Sequence, residues 1–151
     1  MSPTVDIRLA TPADVAAIRA CAATAYSQYI ADIGREPAPM LADFEALVAA
    51  QRIHIASIDE KLEGFIVYYP QDGQMHLENV AVSKSGHGIG GQLMAQCETA
   101  AARLGLSKIT LYTNVKMAAN LSLYSYLGYT ETGRRREDGF DRVYFQKVLA
   151  L

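Results

Sequence analysis

The sequence has few of the residues that build metal centres, disulfide frameworks or membrane spans. It contains two cysteines and three histidines, and neither cysteine has a histidine at the spacing of a zinc site. No apolar run is long enough to cross a bilayer, and residues 1–15 lack the layout of a signal peptide. We therefore expect a cytoplasmic protein with no metal and no membrane partner, in which Cys21 and Cys97 are buried helical thiols.

A strongly basic face is also missing. The net charge is −2 at pH 7, whereas a nucleic-acid-binding domain normally has a high pI or clustered lysines and arginines. The only basic run, Arg134–Arg136, is followed at once by Glu137 and Asp138. We interpret it mainly as a solvated strand surface, with an anion site as the second interpretation. Nucleic acid is therefore not an expected partner.

What the chain does have is the composition of an ordinary globular domain. Half of its 151 residues are apolar and a fifth are charged. This length allows a core to form without metals or disulfides, and the sequence shows no linker, repeat or low-complexity tract. We therefore expect one domain over residues 1–151.

The amino-terminal half predicts one strand, two helices and a three-strand meander. The segment VDIRLA alternates like a strand, and Thr11, Pro12 and Asp14 form the start of a helix that runs to about Tyr29. A second helix is predicted over 40–50. The runs RIHIASI, EGFIVYYP and QMHLENVAV have short links between them, which is typical of antiparallel hairpins.

The carboxyl-terminal half predicts helices alternating with strands. A helix follows Ile89 and ends near Gly105, a residue that tolerates a positive φ. The segment SKITLYTN is a strand, expected to run parallel to the strand before that helix. A helix over 117–127 precedes two strands that meet at Asp138-Gly139. The sum is an α+β fold, with a mixed, largely antiparallel central sheet of about seven strands flanked by four helices.

A glycine-rich loop separates the fourth strand from the next helix in NVAVSKSGHGIGGQLMAQCE. The first-turn amides of a helix have no internal partner, and the helix dipole places partial positive charge there. Glycines let a phosphate oxygen approach without meeting a Cβ atom. The loop therefore favours a pyrophosphate-bearing ligand, with a simple tight turn as the alternative. It does not match the dinucleotide fingerprint or the Gly-Lys-Ser/Thr phosphate loop.

Two motifs occur in an order typical of one protein family. The segment LENVAVSKSGHGIGGQLM is similar to the central strand, pyrophosphate loop and helix of the GNAT superfamily of acyl-CoA-dependent N-acetyltransferases. The segment NLSLYSYLGY is similar to that family's later helix. The order of elements also resembles the family over about residues 5–149. The resemblance implies an acetyltransferase fold with acetyl-CoA as co-substrate and no metal.

The resemblance implies which residues hold acetyl-CoA. The backbone of the central strand would pair with the pantetheine arm where this strand splays from its neighbour, at Val80, Ala81 and Val82. The loop amides would hold the pyrophosphate, at Gly86, His87, Gly88, Ile89, Gly90 and Gly91. The loop departs from the family pattern, because Ser85 replaces the usual glutamine or arginine and about two residues are missing. This departure predicts weaker pyrophosphate binding, which Lys84 partly offsets.

The same resemblance names candidates for catalysis. Tyr124 matches the tyrosine that often donates a proton to the coenzyme A thiolate, and the alternative is an aromatic residue packed between helix and sheet. Asn120, one turn earlier, would bind pantetheine or the acceptor, and the alternative is a solvated polar residue.

A base is needed because an alkylamine is mostly protonated at neutral pH. Glu78 matches a carboxylate that several family members place on the central strand, and the alternative is an ordinary strand acid. Strand alternation is expected to place Glu78, Val80, Val82 and His76 on one face. His76 is therefore a second candidate for the base or for a water relay.

The acceptor is not identified by the sequence. In such folds it meets the first two helices, their connection and the link between the last strands. Tyr26, Tyr29, Asp32 and Glu36 would suit a cationic amine, whereas the arginines would suit a carboxylate. We expect direct transfer to a primary amine of a small molecule or peptide in a ternary complex. The alternatives are a non-catalytic acyl-CoA-binding domain and a structural domain, and a homodimer is left open.

Overall fold

The computed structural model of the chain describes residues 4–83 and 88–150. Within them the chain forms seven strands and five α-helices, with the bounds β1 Val5–Leu9, α1 Val15–Tyr26, α2 Ile30–Ile33, α3 Phe44–Ala49, β2 Ile53–Ile58, β3 Lys61–Gln71, β4 Gln74–Val82, α4 Ile89–Arg103, β5 Lys108–Asn114, α5 Ala118–Tyr126, β6 Thr130–Glu137 and β7 Phe140–Val148. The predicted α+β fold is confirmed. The four predicted helices correspond to α1, α3, α4 and α5, and α2 is a single helical turn.

The strands form one sheet in the order β1-β2-β3-β4-β5-β7-β6. Neighbouring strands are antiparallel except for the parallel pair β4 and β5. The predicted meander and the predicted parallel pair are thus confirmed. Asp138 and Gly139 both have positive φ, at 52° and 80°, and they form the turn that returns β7 between β5 and β6.

Helices cover both faces of the sheet and create two apolar clusters. The α4 cluster contains Leu93, Met94 and Cys97, and the α1 cluster contains Ile18 and Cys21. Alternate residues of β3 enter different clusters, because successive side chains of a strand point to opposite faces. Burial on both faces explains why this strand reads as a nearly continuous apolar run. The prediction that both cysteines are buried is confirmed.

The predicted helix over 40–50 begins too early. A 3₁₀ turn covers Ala38–Leu41, Ala42 is extended with ψ of 147°, and α3 begins only at Phe44. The Asp43 carboxylate accepts a hydrogen bond of 3.1 Å from the Ala46 amide. This side chain caps the helix at residue 43 and satisfies an amide that has no partner within the helix. The cap therefore overrides the longer apolar pattern.

Over residues 4–83 and 88–150, none of the helices is long and apolar enough to span a membrane. In the same residues, no group of three or more histidine, cysteine, aspartate or glutamate side chains is arranged to hold a metal ion.

Candidate active site

The parallel strands β4 and β5 separate soon after they meet. Their register contains only two pairs among the described residues, Met75 with Ile109 and His76 with Thr110. Both strands continue well beyond this point. Each backbone amide and carbonyl in a strand needs a hydrogen-bond partner. The edge of β4 after His76 is therefore open to a ligand that offers such groups.

A β-bulge lies in β4 where the strands part. Val67 of β3 pairs with Asn79, but the next residue, Tyr68, pairs with Leu77. Glu78 is therefore an extra residue in β4. A bulge bends its strand and increases the local twist. It thus explains how β4 diverges from β5 while it stays paired with β3.

The bulge also overturns the predicted alternation along β4. Val80 and Val82 pack against the α4 cluster. Glu78 instead accepts a hydrogen bond from the Tyr69 hydroxyl, and the His76 ring packs against the Tyr69 ring. Tyr69 belongs to the α1 side of the sheet. The prediction that all four side chains share one face is therefore wrong, because the extra residue shifts the alternation by one position.

A cleft of about 210 Å³ opens at this separation. Residues 78–80 of β4 and residues 112–114 of β5 line its two sides. Tyr26, the loop around Pro39, the helix α5 and the start of β7 complete the wall. The site thus combines strand backbone with side chains from six elements of the chain.

The helix α4 is the next described element after β4. Its N-cap residue Gly88 has φ of +70°, and the first intrahelical bond runs from the Gln92 amide to the Gly88 carbonyl at 3.1 Å. Among residues 4–83 and 88–150, a Cβ atom at Gly88 or Gly91 would meet nothing within 4 Å, and one at Gly90 would meet only Val82 Cγ2 at 3.7 Å. No side chain of these residues therefore crowds the three glycines of the first turn.

The other predicted loop residues divide into two groups. Ile89 is 1% exposed and anchors the start of α4 in the α4 cluster. Gly86 and His87, together with Lys84 and Ser85, lie outside the described residues. Their predicted part in pyrophosphate binding stays a prediction.

Gly64 on β3 supports the position of α4 and was missed by the sequence analysis. A Cβ atom there would lie 2.9 Å from Ile89 Cγ2, 3.0 Å from the Ala81 carbonyl oxygen and 3.2 Å from Leu93 Cδ1. The hydrogen of glycine thus lets the first turn of α4 lie close against the sheet. A glycine inside a strand is a sequence signal for such a close approach.

Tyr124 lies on α5, and its side chain borders the cleft. Its ring packs against Tyr129 and Phe145, with centroids 5.9 Å and 5.8 Å away. Burial raises the pKa of its phenol. Among the hydrogen bonds of the described residues, none involves its hydroxyl. Tyr124 is therefore a packed aromatic residue beside the cleft, and its phenol stays protonated at neutral pH.

Glu78 brings a carboxylate into the cleft. Its Oε1 accepts a 2.9 Å hydrogen bond from the Tyr69 hydroxyl, and no lysine, arginine or histidine of the described chain lies within salt-bridge distance. Burial, followed by the charge of Glu78, raises the pKa of Tyr69 to about 12. The phenol thus stays protonated and holds the carboxylate in place.

His76 lies next to this pair but does not line the cleft. Its ring packs against Tyr69 and Tyr112, with centroids 5.4 Å and 6.0 Å away. Burial lowers the pKa of His76, and the nearby Glu78 charge partly opposes this shift. The ring therefore contributes packing beside Glu78 rather than direct contact with a ligand in the cleft.

Tyr26 and Asn79 support the floor of the cleft. The Tyr26 hydroxyl lies 2.6 Å from Asn79 Oδ1 and 2.6 Å from the Val80 carbonyl oxygen. Its single proton is donated to one of these acceptors at a time. Tyr26 was predicted to meet the acceptor, but these bonds also make it a brace between α1 and the bulge. Asn79 was missed, although a polar residue at a buried strand position is unusual.

Asn120 also borders the cleft. Its Nδ2 lies 3.5 Å from both Thr113 Oγ1 and Met117 Sδ. These distances are at the outer limit of hydrogen bonding. The amide is therefore held loosely on α5, one turn before Tyr124, and can turn toward a ligand.

Comparison with known proteins places this fold and cleft in a family. The sequence model of the acetyltransferase (GNAT) family matches residues 18–129, about three quarters of the chain. The chain therefore belongs to the acetyltransferase (GNAT) family, and it is an acetyltransferase. No curated protein matches it.

Solved structures show the same fold. One similar structure is the PaiA N-acetyltransferase from Thermoplasma acidophilum in complex with coenzyme A, with 17% identity and a TM-score of 0.80, covering 96% of this chain and 99% of that one. Another is a ribosomal-protein-alanine N-acetyltransferase from Brucella melitensis, with 23% identity and a TM-score of 0.72, covering 95% and 99%. At such identities the likeness concerns the fold alone.

Proposed function

We propose that the protein is an N-acetyltransferase of one domain that transfers the acetyl group of acetyl-CoA to a primary amine by direct attack in a ternary complex. The observation that carries this proposal is the cleft at the β4 bulge. It combines an open strand edge with the carboxylate of Glu78 and the hydroxyl of Tyr124. The family match and the coenzyme A bound to the similar Thermoplasma protein support it.

The donor side would bind acetyl-CoA mainly through the backbone. Acetyl-CoA supplies an activated thioester, and its pantetheine arm contains amides that can pair with a strand edge. The backbone of Val80, Ala81 and Val82 lies on the open part of β4. The first turn at Gly88–Gly91, uncrowded by the described side chains, would hold the pyrophosphate, because helix N-termini attract anions. Gly86 and His87 would extend this site.

Glu78 would take a proton from the amine. An alkylamine has a pKa of about 10, so it is mostly protonated at neutral pH and cannot attack a thioester. The Glu78 carboxylate lines the cleft and is oriented by Tyr69. It can receive the proton directly or through one water. A backbone amide near Val80 would stabilise the negative charge that develops on the thioester oxygen.

Tyr124 would donate a proton to the departing sulfur. As the nitrogen attacks, a C–N bond forms and the C–S bond breaks, so negative charge moves to the thiolate. The raised pKa of Tyr124 keeps its phenol protonated until then. The nitrogen releases its second proton to water as the amide forms, and solvent returns a proton to Tyr124 after the product leaves. Asn120 would help to orient the pantetheine or the acceptor from the preceding turn of α5.

An acceptor screen with acetyl-CoA tests the proposal. Thiol release is measured against a panel of primary amines, and both substrates are varied for the best acceptor. We expect amine-dependent thiol release with intersecting double-reciprocal lines, as direct transfer requires. Parallel lines would contradict the ternary complex. Acetyl-CoA binding without release for any amine would support a non-catalytic binding domain instead.

A further inference from the structure

The arginine that lines the cleft is already neutralised by the chain. The guanidinium of Arg142 lies 3.6 Å from Asp138 Oδ2 and 3.8 Å from Glu137 Oε1. Its flat face covers the Tyr112 ring at 4.4 Å, and its side chain is only 12% exposed. Two carboxylates and an aromatic ring thus surround this cation on the β7 side of the cleft.

Three other arginines near this end, Arg35, Arg134 and Arg136, also have partners. Arg35 covers the Phe140 ring at 3.7 Å and donates a hydrogen bond to the Asp138 carbonyl. Arg134 and Arg136 pair with Glu131 and Asp141 at 3.0 Å and 3.2 Å, and both are exposed. Neither of these two lines the cleft. Because of these contacts, the paired arginines are less available to bind a carboxylate of the acceptor.

Glu78, unlike Arg142, has no oppositely charged partner among the described residues. Its carboxylate lines the same cleft, and its hydrogen bond in the described residues comes from a neutral phenol. Among the charged residues of the lining, Glu78 is thus a carboxylate without a salt bridge in the described residues, whereas the cation Arg142 has two carboxylates beside it, Glu137 and Asp138. In a partly buried site, such an imbalance is screened less than on the open surface. The cleft therefore favours a cation.

The walls around these charges are mainly carbon. Pro39, Leu41 and Ala42 line one side, and the rings of Tyr112 and Phe140 line the other. Arg142 lies over the Tyr112 ring and Arg35 over the Phe140 ring. An acceptor whose amine reaches Glu78 would place the rest of its body between these apolar surfaces.

We infer, on the basis of the proposed function, that the acceptor is a cationic amine with an apolar body and no carboxylate beside the amine. A carboxylate on the carbon that bears the amine would face Glu78, since the two groups are only two bonds apart. It would also compete with Glu137 and Asp138 for Arg142. Like charges placed together at a binding site reduce affinity strongly.

Matched acceptors test this inference. The values of kcat/KM are measured for phenethylamine, phenylalanine and phenylalaninamide, and for tyramine and tyrosine. The amide controls for size, because it adds a group of nearly the same volume without charge. We expect kcat/KM for phenethylamine and for phenylalaninamide to exceed that for phenylalanine by about tenfold or more. A tenfold ratio corresponds to about 1.4 kcal/mol. This preference should shrink as salt is raised.

A variant pair identifies the source of the preference. The double substitution Glu137→Gln with Asp138→Asn removes the two acids that compete for Arg142, so it should reduce the preference several-fold. Asp72→Asn, in the β3–β4 turn and outside the cleft lining, should leave it unchanged. Amino acids that react as well as their matched amines would overturn the inference while the proposed function stands. Failure of every acceptor would instead remove the proposed function.

Discussion

The two sides of the cleft offer different kinds of surface to the proposed donor and the proposed acceptor. The donor side offers main chain: the edge of β4 beyond the bulge and the first turn of α4, where side chains are absent at Gly88, Gly90 and Gly91. The acceptor side offers side chains from α1, the loop before α3, β5 and β7. Backbone recognition can be concentrated in one stretch of sequence, whereas a side-chain surface is assembled from distant segments.

The two sides also differ in how deeply their residues are buried. The strands beneath the donor side are buried on both faces, as Ile66, Val67 and Ala81 show at 0%, 0% and 4% exposure. On the acceptor side, Leu41 is 61% exposed and the Asp138 side chain 83%. Exposed connecting segments tolerate substitution better than buried strands. We therefore expect the acceptor side to set substrate choice and the donor side to be common to related enzymes.

Glu78→Gln should give the largest effect, because it removes the proposed base while the proposed donor side stays intact. We expect kcat at pH 7 to fall by about 100-fold or more, with acetyl-CoA affinity changed less than about twofold. The remaining rate should rise with pH, since the variant depends on amine that has already lost its proton. Kinetics across pH and calorimetry with acetyl-CoA measure both quantities. An unchanged pH–rate profile would make Glu78 an ordinary strand acid, and Glu131→Gln on the exposed β6 is the control.

Tyr124→Phe should have the next largest effect. Loss of the phenol proton should lower kcat about tenfold or more and leave the acetyl-CoA dissociation constant nearly unchanged, because the ring still packs against Tyr129 and Phe145. Tyr126→Phe provides a matched control on the same helix, since Tyr126 is 87% exposed. If Tyr124→Phe kept the wild-type kcat, Tyr124 would contribute packing alone.

Gly64→Ala should weaken the donor side without touching the acceptor side. The added methyl would press on Ile89 and on the Ala81 carbonyl, so the first turn of α4 must move. We expect the acetyl-CoA dissociation constant to rise several-fold and the free energy of unfolding to fall by about 1–3 kcal/mol. Gly133→Ala is the matched strand control, because a Cβ atom there meets nothing within 4 Å. Equal affinities for the two variants would contradict the close-approach argument.

Asp14→Asn should have the smallest kinetic effect, because this acid lies outside the cleft. The Asp14 carboxylate pairs with Arg8 at 2.9 Å and accepts a 2.7 Å hydrogen bond from the Thr11 amide. The Arg8 hydrogen bond is the main cause that lowers the pKa of Asp14 to about 2. We expect a loss of about 1 kcal/mol of unfolding free energy at pH 7, with kcat unchanged.

The difference in unfolding free energy between the wild-type protein and Asp14→Asn should depend on pH in one direction. The folded-state pKa of Asp14 lies below its unfolded value, so its stabilisation is complete above the unfolded pKa and is lost as pH falls toward 2. Denaturant unfolding at several pH values should therefore show the two proteins converge in stability near pH 2. A difference that persisted there would assign the effect to something other than the ion pair.

Most of the fold could be predicted because its signals are local. The periodicity of β1 to β5, the glycines after α4 and α5 and the Asp138-Gly139 turn each follow from neighbouring residues. The helix over 40–50 failed because the Asp43 cap competes with the apolar pattern. The insertion of β7 between β5 and β6 was not predicted, since strand order depends on pairing between distant segments.

In the candidate site, too, the residues in contiguous motifs could be predicted, whereas those that depend on distant contacts could not. Tyr124, Glu78 and the glycine loop lie in contiguous motifs, and the structure places Tyr124, Glu78 and Asn120 around one cleft. The single-face prediction for β4 failed because a bulge shifts the alternation after Glu78. Gly64 and Asn79 were missed because their importance arises from contacts with α4 and α1.

By itself, the sequence determined the order and type of most elements and the family, and it predicts phosphate binding at the turn before α4. These properties depend on residues within a few positions of one another, where helix capping, strand alternation and glycine backbone freedom act. Only the tertiary structure decided where β4 leaves β5, which side Glu78 faces and which charges near the acceptor are already paired. Those features depend on the register between strands and on contacts between segments more than 50 residues apart, such as Tyr26 with Asn79.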